Sequence, residues 1–365
     1  MPDRKTVLFL SNHYVTLYFF RRELIERLVQ RGHRVVLSLP EDERNRDFAA
    51  MGCEIIVTPM SRRGLNPVED LKLLANYRRI MRQVKPDVIF SYTSKPDIYG
   101  ALASNRLGYK QVCNITGLGS SLVYDDLLAK TVRALYRISI KRCYLVFFQN
   151  SGDKDYFVRY GIVKDNWDLI PGSGVNLEQH ALTPMPDDGQ IRFLFSGRIL
   201  AVKGIEQFLD CAKAVRARHP EARFYIAGFI DQEHLRAPIM AAQAEGAVEY
   251  LGFQKDIDHW MRYCHCTILP SLGGEGVPNA VLESAATGRA CIVSDINGSR
   301  DAVEDGVTGY LFKPGDSRDL IDKVERFLAL SKEEREQMGL AGHEKAAREF
   351  DREIVVQRYL REVEG

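Results

Sequence analysis

Two glutamates and a glycine-rich turn in the segment Pro270–Glu283 form the most chemically informative pattern of the sequence. The apolar run Thr267–Leu269 predicts a strand that ends here, and Pro278 indicates a helix start, because proline suits the first turn of a helix. Glycines let the backbone approach a ligand, and the free N–H groups of a helix start bind anions. Glu275 and Glu283 flank this start with seven residues between them. The pattern predicts a ligand with both phosphate and hydroxyl groups, such as a nucleotide sugar.

Two cations in the segment Phe193–Gly204 are placed to bind the phosphates of the same ligand. A strand is predicted to end at Ser196, Gly197 turns the chain, and Arg198 and Lys203 follow in the loop and the next helix start. Arginine binds phosphate through forked hydrogen bonds, whereas lysine acts as a point charge. Alone, the two cations fit solvated loop residues equally well. Together with the glutamate segment, they favour a diphosphate site.

These motifs need strand ends to hold them, and strand-like runs alternate with amphipathic segments along the whole chain. Such alternation is typical of βαβ units around a parallel sheet. The strands predicted in the first half are Thr6–Leu10, Val35–Leu39, Ile55–Val57, Val88–Phe90, Val112–Ile115, Leu145–Phe148 and Trp167–Ile170. The helices predicted between them include Phe19–Gln30, Pro67–Val84 and Lys130–Arg142.

A stretch rich in proline, glycine and aspartate, Pro171–Gly189, interrupts the alternation and indicates a linker. The strands predicted after it are Ile191–Phe195, Phe224–Ala227, Val248–Leu251, Thr267–Leu269 and Ala290–Val293. We predict an α/β protein of two doubly wound, Rossmann-like domains, residues 1–172 and 173–349, that face a central cleft. A C-terminal helix at about residues 350–365 is predicted to pack back on the first domain. Ligands of such sheets bind outside the carboxyl ends of the strands.

Together the motifs of the second half resemble those of the retaining glycosyltransferases of family 4, which have the GT-B fold. The resemblance rests on Gly197-Arg198…Lys203-Gly204, on Glu275-x7-Glu283 and on Leu251-Gly252-Phe253, and it covers essentially the whole chain. It implies that Arg198 and Lys203 bind the donor diphosphate, that Glu275 contacts the transferred sugar and that Glu283 holds the ribose hydroxyls. The further donor-binding positions that it implies are Gly197, Gly274, Gly276, Val277 and Pro278.

Three polar segments at strand ends of the first domain are candidates for acceptor contacts. Many relatives have a glycine-rich loop after the first strand and a histidine after the fourth, where this chain has Ser11–Tyr14 and Tyr92–Asp97. The third segment, Thr116–Ser121, looks like that of transferases that extend undecaprenyl-diphosphate-linked sugars, including N-acetylgalactosaminyl enzymes. The candidate acceptor-side residues are His13, Lys95, Thr116, Gly117, Gly119 and Ser120. His13 and Lys95 fit plain surface residues almost as well.

The family resemblance implies retention of anomeric configuration without a divalent metal, and we expect no cofactor. Arg198, Lys203 and helix-start amides can stabilise a leaving diphosphate electrostatically. No Asp-x-Asp motif lies in a suitable loop, and the seven cysteines are scattered, so Cys264-His265-Cys266 is disfavoured as a zinc site. The resemblance favours front-face attack, in which the departing phosphate accepts the proton of the acceptor.

Charge is distributed unevenly between the two halves of the chain. Residues 1–180 contain 27 Lys and Arg against 19 Asp and Glu, and the remainder has 23 against 30. Arg133, Arg137 and Lys141 recur at intervals of four residues, which predicts one basic helix face that binds an anionic membrane surface. Without an apolar run of membrane-spanning length or a signal segment, we expect a cytoplasmic protein peripherally associated with the inner face of the membrane. Near-zero net charge argues against nucleic acid as a partner.

The predicted function is transfer of a hexose or N-acetylhexosamine from a UDP-sugar donor to a lipid-diphosphate-linked sugar acceptor, in surface polysaccharide or glycan biosynthesis. The alternatives are a nucleotide-sugar epimerase of the same fold and a non-catalytic nucleotide-sugar-binding assembly protein. An NAD-dependent oxidoreductase is disfavoured because no G-x-G-x-x-G motif follows the first strand.

Overall fold

The chain divides into two compact units, each built around one parallel β-sheet. The computed structural model describes residues 3–61, 66–123 and 125–365, without the side chains of Ser120 and Val123. One unit comprises Met1–Ser173 and Glu353–Gly365, and the other comprises Gly174–Arg352. The linker composition had predicted the first boundary after residue 172 and the return to the first domain at residue 350.

The first unit contains a seven-stranded sheet. Its strands are β1 (Thr6–Ser11), β2 (Arg34–Leu39), β3 (Glu54–Val57), β4 (Val88–Tyr92), β5 (Lys110–Ile115), β6 (Leu145–Phe148) and β7 (Trp167–Leu169). Their order is β3-β2-β1-β4-β5-β6-β7, and all of the pairings are parallel. The prediction of a doubly wound domain is confirmed. Because the order reverses between β1 and β4, the loops after these two strands lie side by side.

Helices connect these strands. They are α1 (Tyr14–Gln30), α2 (Asn45–Ala50), α3 (Pro67–Val84), α4 (Ser94–Leu107), α5 (Ser120–Val123), α6 (Leu127–Ser139) and α7 (Ser151–Arg159). A single 3₁₀ turn, Ile140–Arg142, follows α6. Each connection places a helix against the sheet, so the central strands are buried on both faces, and Val7 to Leu10 of β1 have no exposed surface.

The second unit contains a six-stranded parallel sheet with the order β10-β9-β8-β11-β12-β13. Its strands are β8 (Ile191–Ser196), β9 (Ala222–Ala227), β10 (Glu249–Gly252), β11 (Cys266–Leu269), β12 (Ala290–Ser294) and β13 (Gly309–Phe312). Its helices are α8 (Ile205–Arg216), α9 (Arg236–Ala244), α10 (Ile257–Tyr263), α11 (Asn279–Ala286), α12 (Ser299–Ala302), α13 (Ser317–Ala329) and α14 (Lys332–Glu349). Two 3₁₀ turns, Ala201–Lys203 and Glu233–Leu235, follow β8 and β9. Strands β9, β8 and β11 are neighbours, so the loops after them share one edge of the sheet.

The last helix, α15 (Arg352–Glu364), packs on the sheet of the first unit through Tyr359. The Tyr359 ring lies 5.1 Å from that of Phe90 and 5.2 Å from that of Phe147, between ring centroids. The buried guanidinium of Arg21 lies over the rings of both Tyr359 and Tyr92. The helix at the end of the chain is therefore part of the first core. Within the described ranges, no helix has the length and apolar composition needed to cross a bilayer.

Candidate functional site

The two predicted phosphate-binding cations lie in the loop that follows β8, the central strand of the second sheet. Close backbone contacts fix this loop on both sides. A Cβ atom on Gly204 would lie 1.8 Å from the carbonyl oxygen of Pro270, and one on Gly228 would lie 1.8 Å from that of Gly197. Both of these glycines have positive φ, +70° and +151°. Only glycine allows the three loops to approach so closely.

Lys203 and Glu275 form an ion pair that joins the loops after β8 and β11. The side chains are only 21% and 12% exposed, and the Ser271 hydroxyl donates a second hydrogen bond of 2.6 Å to the same carboxylate oxygen. Burial alone would raise the pKa of Glu275, but the Lys203 ammonium, the Ser271 hydroxyl and the more distant Arg198 bring that pKa below its ordinary value. Glu275 is therefore ionised and serves as the counter-ion of Lys203.

Arg198 lies at the other side of the same loop and is more exposed. Its Nη1 atom is 3.5 Å from Oδ2 of Asp231, a residue that follows β9, and 45% of its side chain is accessible. This distance is long for a hydrogen bond, so the contact is mainly Coulombic. Arg198 and Lys203, the two side chains predicted to bind phosphate, thus each have a carboxylate beside them.

Glu283 differs from Glu275 in having no hydrogen-bond donor among the described residues. It lies in the second turn of α11, a helix that begins directly after Pro278. Burial raises the pKa of Glu283, and His180 and Arg352 oppose this rise through their charges. A partly buried carboxylate without a donor lacks the bonds that such groups normally make. It is suited to accept hydrogen bonds from ligand hydroxyls.

His180 and Asp258 lie beside Glu283 and were missed in the sequence. The His180 Nδ1 atom is 2.6 Å from Asp258 Oδ1, and the imidazole is buried. Burial alone would raise the pKa of Asp258, yet contact with His180 keeps that pKa below its ordinary value. Neither residue belongs to a recognisable motif, because His180 comes from the linker and Asp258 from α10. No spacing along the chain could have revealed their contact.

The glycine-rich turn before α11 packs closely against the segment that precedes α12. A Cβ atom on Gly298 would lie 1.5 Å from the carbonyl oxygen of Gly276. Gly274 has φ +77°, and Val277 is buried. Pro278 supplies neither an N–H group nor a side-chain cap to the helix start. The backbone of this turn is therefore held at the sheet edge on which Lys203 and Glu275 meet.

In the first unit, the acceptor-side candidates follow β1, β4 and β5, which are neighbours in the sheet. His13 is the N-cap of α1, where its Nδ1 atom accepts a hydrogen bond of 3.3 Å from the Val15 N–H. Thr116 and Gly119 are exposed, and Gly117 and Gly119 have φ of +117° and +65°. The side chain of Ser120 lies outside the described part of the structure.

Lys95 is held by partners within its own unit. Its Nζ atom lies 2.8 Å from Oδ1 of Asp70 and donates a hydrogen bond of 3.0 Å to Ser61. The side chains of Lys95 and Asp70 are 11% and 6% exposed. Any anionic ligand of Lys95 has to compete with the Asp70 carboxylate, which comes from α3 and was not anticipated.

The predicted basic face on residues 133–141 needs correction. The Arg133 side chain is 11% exposed, donates to the Tyr156 hydroxyl and Asp125, and lies over the Tyr160 ring. Helix α6 also ends at Ser139, so Lys141 lies in the following 3₁₀ turn rather than on the same helix. Arg137 and Lys141 remain exposed, as do Leu127, Leu128 and Ile138. Arg133 is instead a structural residue of its unit.

Two family models match the chain, one in each structural unit. The model of the "Glycosyl transferase 4-like domain" matches residues 20–172, and that of "Glycosyl transferases group 1" matches residues 184–345. Each match falls within one of the two structural units. The chain therefore belongs to the family of glycosyltransferases that these two models describe together. The resemblance inferred from Arg198, Lys203, Glu275 and Glu283 is thereby confirmed at the level of the family.

Curated relatives of this glycosyltransferase include two whose names specify diphospho-undecaprenol-linked sugars. It is 28% identical to the N,N'-diacetylbacillosaminyl-diphospho-undecaprenol alpha-1,3-N-acetylgalactosaminyltransferase of Campylobacter jejuni, over 97% of this chain and 96% of the relative. It is 26% identical to the UDP-Gal:alpha-D-GlcNAc-diphosphoundecaprenol alpha-1,3-galactosyltransferase of Escherichia coli, over 77% and 76%.

Solved structures identify the fold of the glycosyltransferase as GT-B. Anabaena Alr3699/HepE, crystallised with UDP and glucose, superposes with a TM-score of 0.80 at 17% identity, over 98% of this chain and 99% of that one. A glycosyltransferase from Rickettsia africae also superposes with a TM-score of 0.80, at 16% identity over 98% and 97%. At such identities the likeness establishes the fold alone.

Proposed function

We propose that this glycosyltransferase moves a hexose or N-acetylhexosamine from a UDP-sugar to a sugar carried on a lipid diphosphate. The observation that carries the proposal is the arrangement at one sheet edge of two cations, Arg198 and Lys203, with Glu283, a carboxylate that has no hydrogen-bond donor among the described residues. Two cations suit a diphosphate, and the carboxylate suits a ribose diol. The two curated relatives, whose acceptors are diphospho-undecaprenol-linked sugars, support the acceptor class.

In the proposed reaction, the donor diphosphate binds Arg198 and Lys203 and partly replaces their present carboxylate partners. Lys203 then stabilises the negative charge that develops on the leaving phosphate as the bond to the sugar breaks. Release of Lys203 leaves Glu275 available for hydroxyl groups of the transferred sugar. Glu275 thus has a role in both states of the site, first as a counter-ion and then as a sugar ligand.

We propose that the transfer retains anomeric configuration by attack on the front face of the donor. The acceptor oxygen bonds to the anomeric carbon, the bond from that carbon to the phosphate oxygen breaks, and the departing phosphate takes the acceptor proton. In this route Glu275 accepts hydrogen bonds from sugar hydroxyls rather than attacking the anomeric carbon, and Ser271 continues to donate to its carboxylate when Lys203 binds phosphate. An anomeric proton coupling constant that indicates inversion in the product would rule out this route.

We also propose that no divalent metal takes part, because cationic side chains at the β8 loop supply the charge that a metal would provide. Among the described residues, no group of three or more His, Cys, Asp or Glu side chains is arranged to hold a metal ion. Transfer should persist in excess chelator. Loss of activity in chelator that a divalent ion restores would refute this part of the proposal.

The proposed membrane contact is peripheral and uses exposed residues of α6 and the following turn. Leu127 and Ile138 are 80% and 69% exposed, and Arg137 and Lys141 are exposed nearby in sequence. Apolar side chains with adjacent cations suit an anionic lipid surface. Flotation with anionic vesicles should fall when Arg137 and Lys141 become glutamine. An Arg218→Gln change, at an exposed arginine of the second unit, is the matched control and should leave flotation unchanged.

Transfer itself is tested with the full chain, a panel of UDP-hexoses and UDP-N-acetylhexosamines, and a short-chain polyprenyl-diphosphate sugar. UDP should be released from one donor only when the acceptor is present, and the acceptor should gain the mass of one sugar. Conversion of the donor without any acceptor would instead indicate an epimerase. Donor binding without turnover under all conditions would indicate an assembly protein.

A further inference from the structure

The loop that carries Arg198 and Lys203 is supported on one side by the segment 229–232, which follows β9. Backbone hydrogen bonds continue the pairing of β8 and β9 beyond the strands: Ile199 donates to Phe229 at 3.0 Å, and Asp231 donates to Ile199 at 3.1 Å. Ile199 and Ile230 form an isolated parallel bridge, and both side chains contact the core of the unit. This alternation leaves Arg198 and Asp231 on the accessible side.

The Gln232 side chain contacts the backbone of the cation loop directly. Its Oε1 atom accepts a hydrogen bond of 2.7 Å from the N–H of Ala201, the first residue of the 3₁₀ turn that ends at Lys203. That N–H is at the start of a helical turn and has no partner within the turn. The buried Leu235, three residues later, anchors the segment in the core. Gln232 thus supplies an acceptor for the first N–H of the turn that ends at Lys203.

Asp231 acts on the same loop through charge. Its carboxylate lies 3.5 Å from Arg198, whose side chain is 45% exposed. A diphosphate bound to Arg198 has to displace this contact and also to approach the Asp231 charge. Asp231 therefore holds the guanidinium when phosphate is absent and opposes phosphate binding.

We propose that Asp231 and Gln232 are positioning residues for the donor diphosphate, with opposite effects on its affinity. Gln232 strengthens diphosphate binding by fixing the turn that carries Lys203, and Asp231 weakens it by competing for Arg198. The proposal rests on the proposed function, because it requires that Arg198 and Lys203 bind the donor diphosphate. Neither residue has to touch the donor.

The experiment compares the affinities of the full chain for UDP and for uridine, which lacks the diphosphate. Gln232→Leu removes the acceptor with little change in size and should weaken UDP binding about tenfold, because the N–H of Ala201 is left without a partner. Binding of uridine should change less than about twofold. Gln337→Leu is the matched control on an exposed residue of α14 and should leave both affinities unchanged.

Asp231→Asn should tighten UDP binding about threefold at low ionic strength, because one opposing charge is removed. This gain should disappear in about 0.5 M salt, since Arg198 is largely accessible and its interactions are screened. A merely structural role of Asp231 would not depend on salt in this way. Uridine affinity should be the same in this variant and in the wild type.

The outcomes separate this inference from the proposed function. If Gln232→Leu weakens UDP and uridine equally, or if Asp231→Asn does not tighten UDP binding, the positioning roles are refuted while the diphosphate site stands. If the wild-type chain binds UDP no better than uridine, Arg198 and Lys203 do not bind a diphosphate. Both the proposed function and this inference then fail.

Discussion

Replacing Lys203 by methionine should destabilise the second unit by leaving Glu275 as a buried carboxylate without its counter-ion. At contact distance and an effective dielectric constant near 20, the gross attraction of such a pair is about 5 kcal/mol. Part of this offsets desolvation, and Ser271 still donates a hydrogen bond to the carboxylate. We therefore expect a loss of about 2–3 kcal/mol in the free energy of unfolding at pH 8.

The loss should depend on pH, with a sign set by Glu275. In the wild type, the pKa of Glu275 lies below its ordinary value, so the ion pair stabilises the fold above about pH 4.3 and this contribution is lost as pH falls through the folded pKa. In Lys203→Met, burial remains and should raise the pKa of Glu275. The variant then loses stability as pH rises above about 4.3. The gap between the two proteins should thus widen from pH 4 to pH 8.

Urea unfolding followed by Trp260 fluorescence measures this effect in the second unit alone. The chain has two tryptophans, Trp167 in the first unit and Trp260 in the second, so a Trp167→Phe background leaves a single reporter. The control is Lys213→Met, because Lys213 pairs with Glu245 at 2.9 Å but both side chains are about half exposed. That change should cost less than about 1 kcal/mol at any pH.

A double-mutant cycle with Glu275→Gln isolates the interaction from other effects of the substitutions. The pairwise coupling should be about 2 kcal/mol at pH 8 and should decrease toward pH 4. A coupling below about 0.5 kcal/mol, or a stability gap that does not change with pH, would refute the view that Lys203 is held by an ionised Glu275.

Three further predictions concern other residues of the second unit. Glu283→Gln should abolish discrimination between UDP and its 2′,3′-dideoxy analogue in binding assays; retained discrimination would contradict its role as ribose ligand. Arg289→Met should cost more than about 3 kcal/mol in unfolding, because the buried guanidinium donates to Cys264, Thr183 and other carbonyls. Burial holds the pKa of His265 at about 4, so the free energy of unfolding should fall by up to about 3 kcal/mol from pH 6.5 to pH 4. His265→Asn should reduce this dependence on pH, and an unchanged dependence would contradict the assignment to His265.

Much of the fold was predictable because parallel strands buried on both faces are continuous apolar runs. All twelve predicted strands are present, with ends that differ by a few residues. Strand β13 (Gly309–Phe312) was missed because it has four residues and follows a turn-rich segment. Helix α1 begins at Tyr14, where His13 caps it, and not near residue 19 as predicted. The prediction missed the first turn because its aromatic residues show no clear helical period.

The candidate site was predictable only as far as one chain segment could reveal it. The site residues that were predicted lie in motifs with local spacing: Arg198, Lys203, Glu275 and Glu283. The carboxylates that pair with Lys95, Arg198 and His180 come from other elements and were not predicted: Asp70, Asp231 and Asp258. Asp231 had one available signal: it follows a strand that neighbours β8, and loops after neighbouring strands share an edge. The exposed face assigned to Arg133 was wrong because periodicity along a helix does not reveal tertiary partners such as Tyr156.

Electrostatics explains why the cation loop has carboxylate partners, Glu275 and Asp231, when no donor is bound. A partly buried ammonium such as that of Lys203 is costly without a partner, so a site built to bind phosphate must supply an anion when phosphate is absent. Glu275 meets this need, and it does so from the neighbouring loop, where a donor sugar would also lie. When donor binds, its phosphate takes the place of the Glu275 carboxylate as the anion in contact with Lys203. We infer that donor affinity is governed by the difference between two ion pairs, which is why changes at Asp231 and Glu275 should alter it without any new contact.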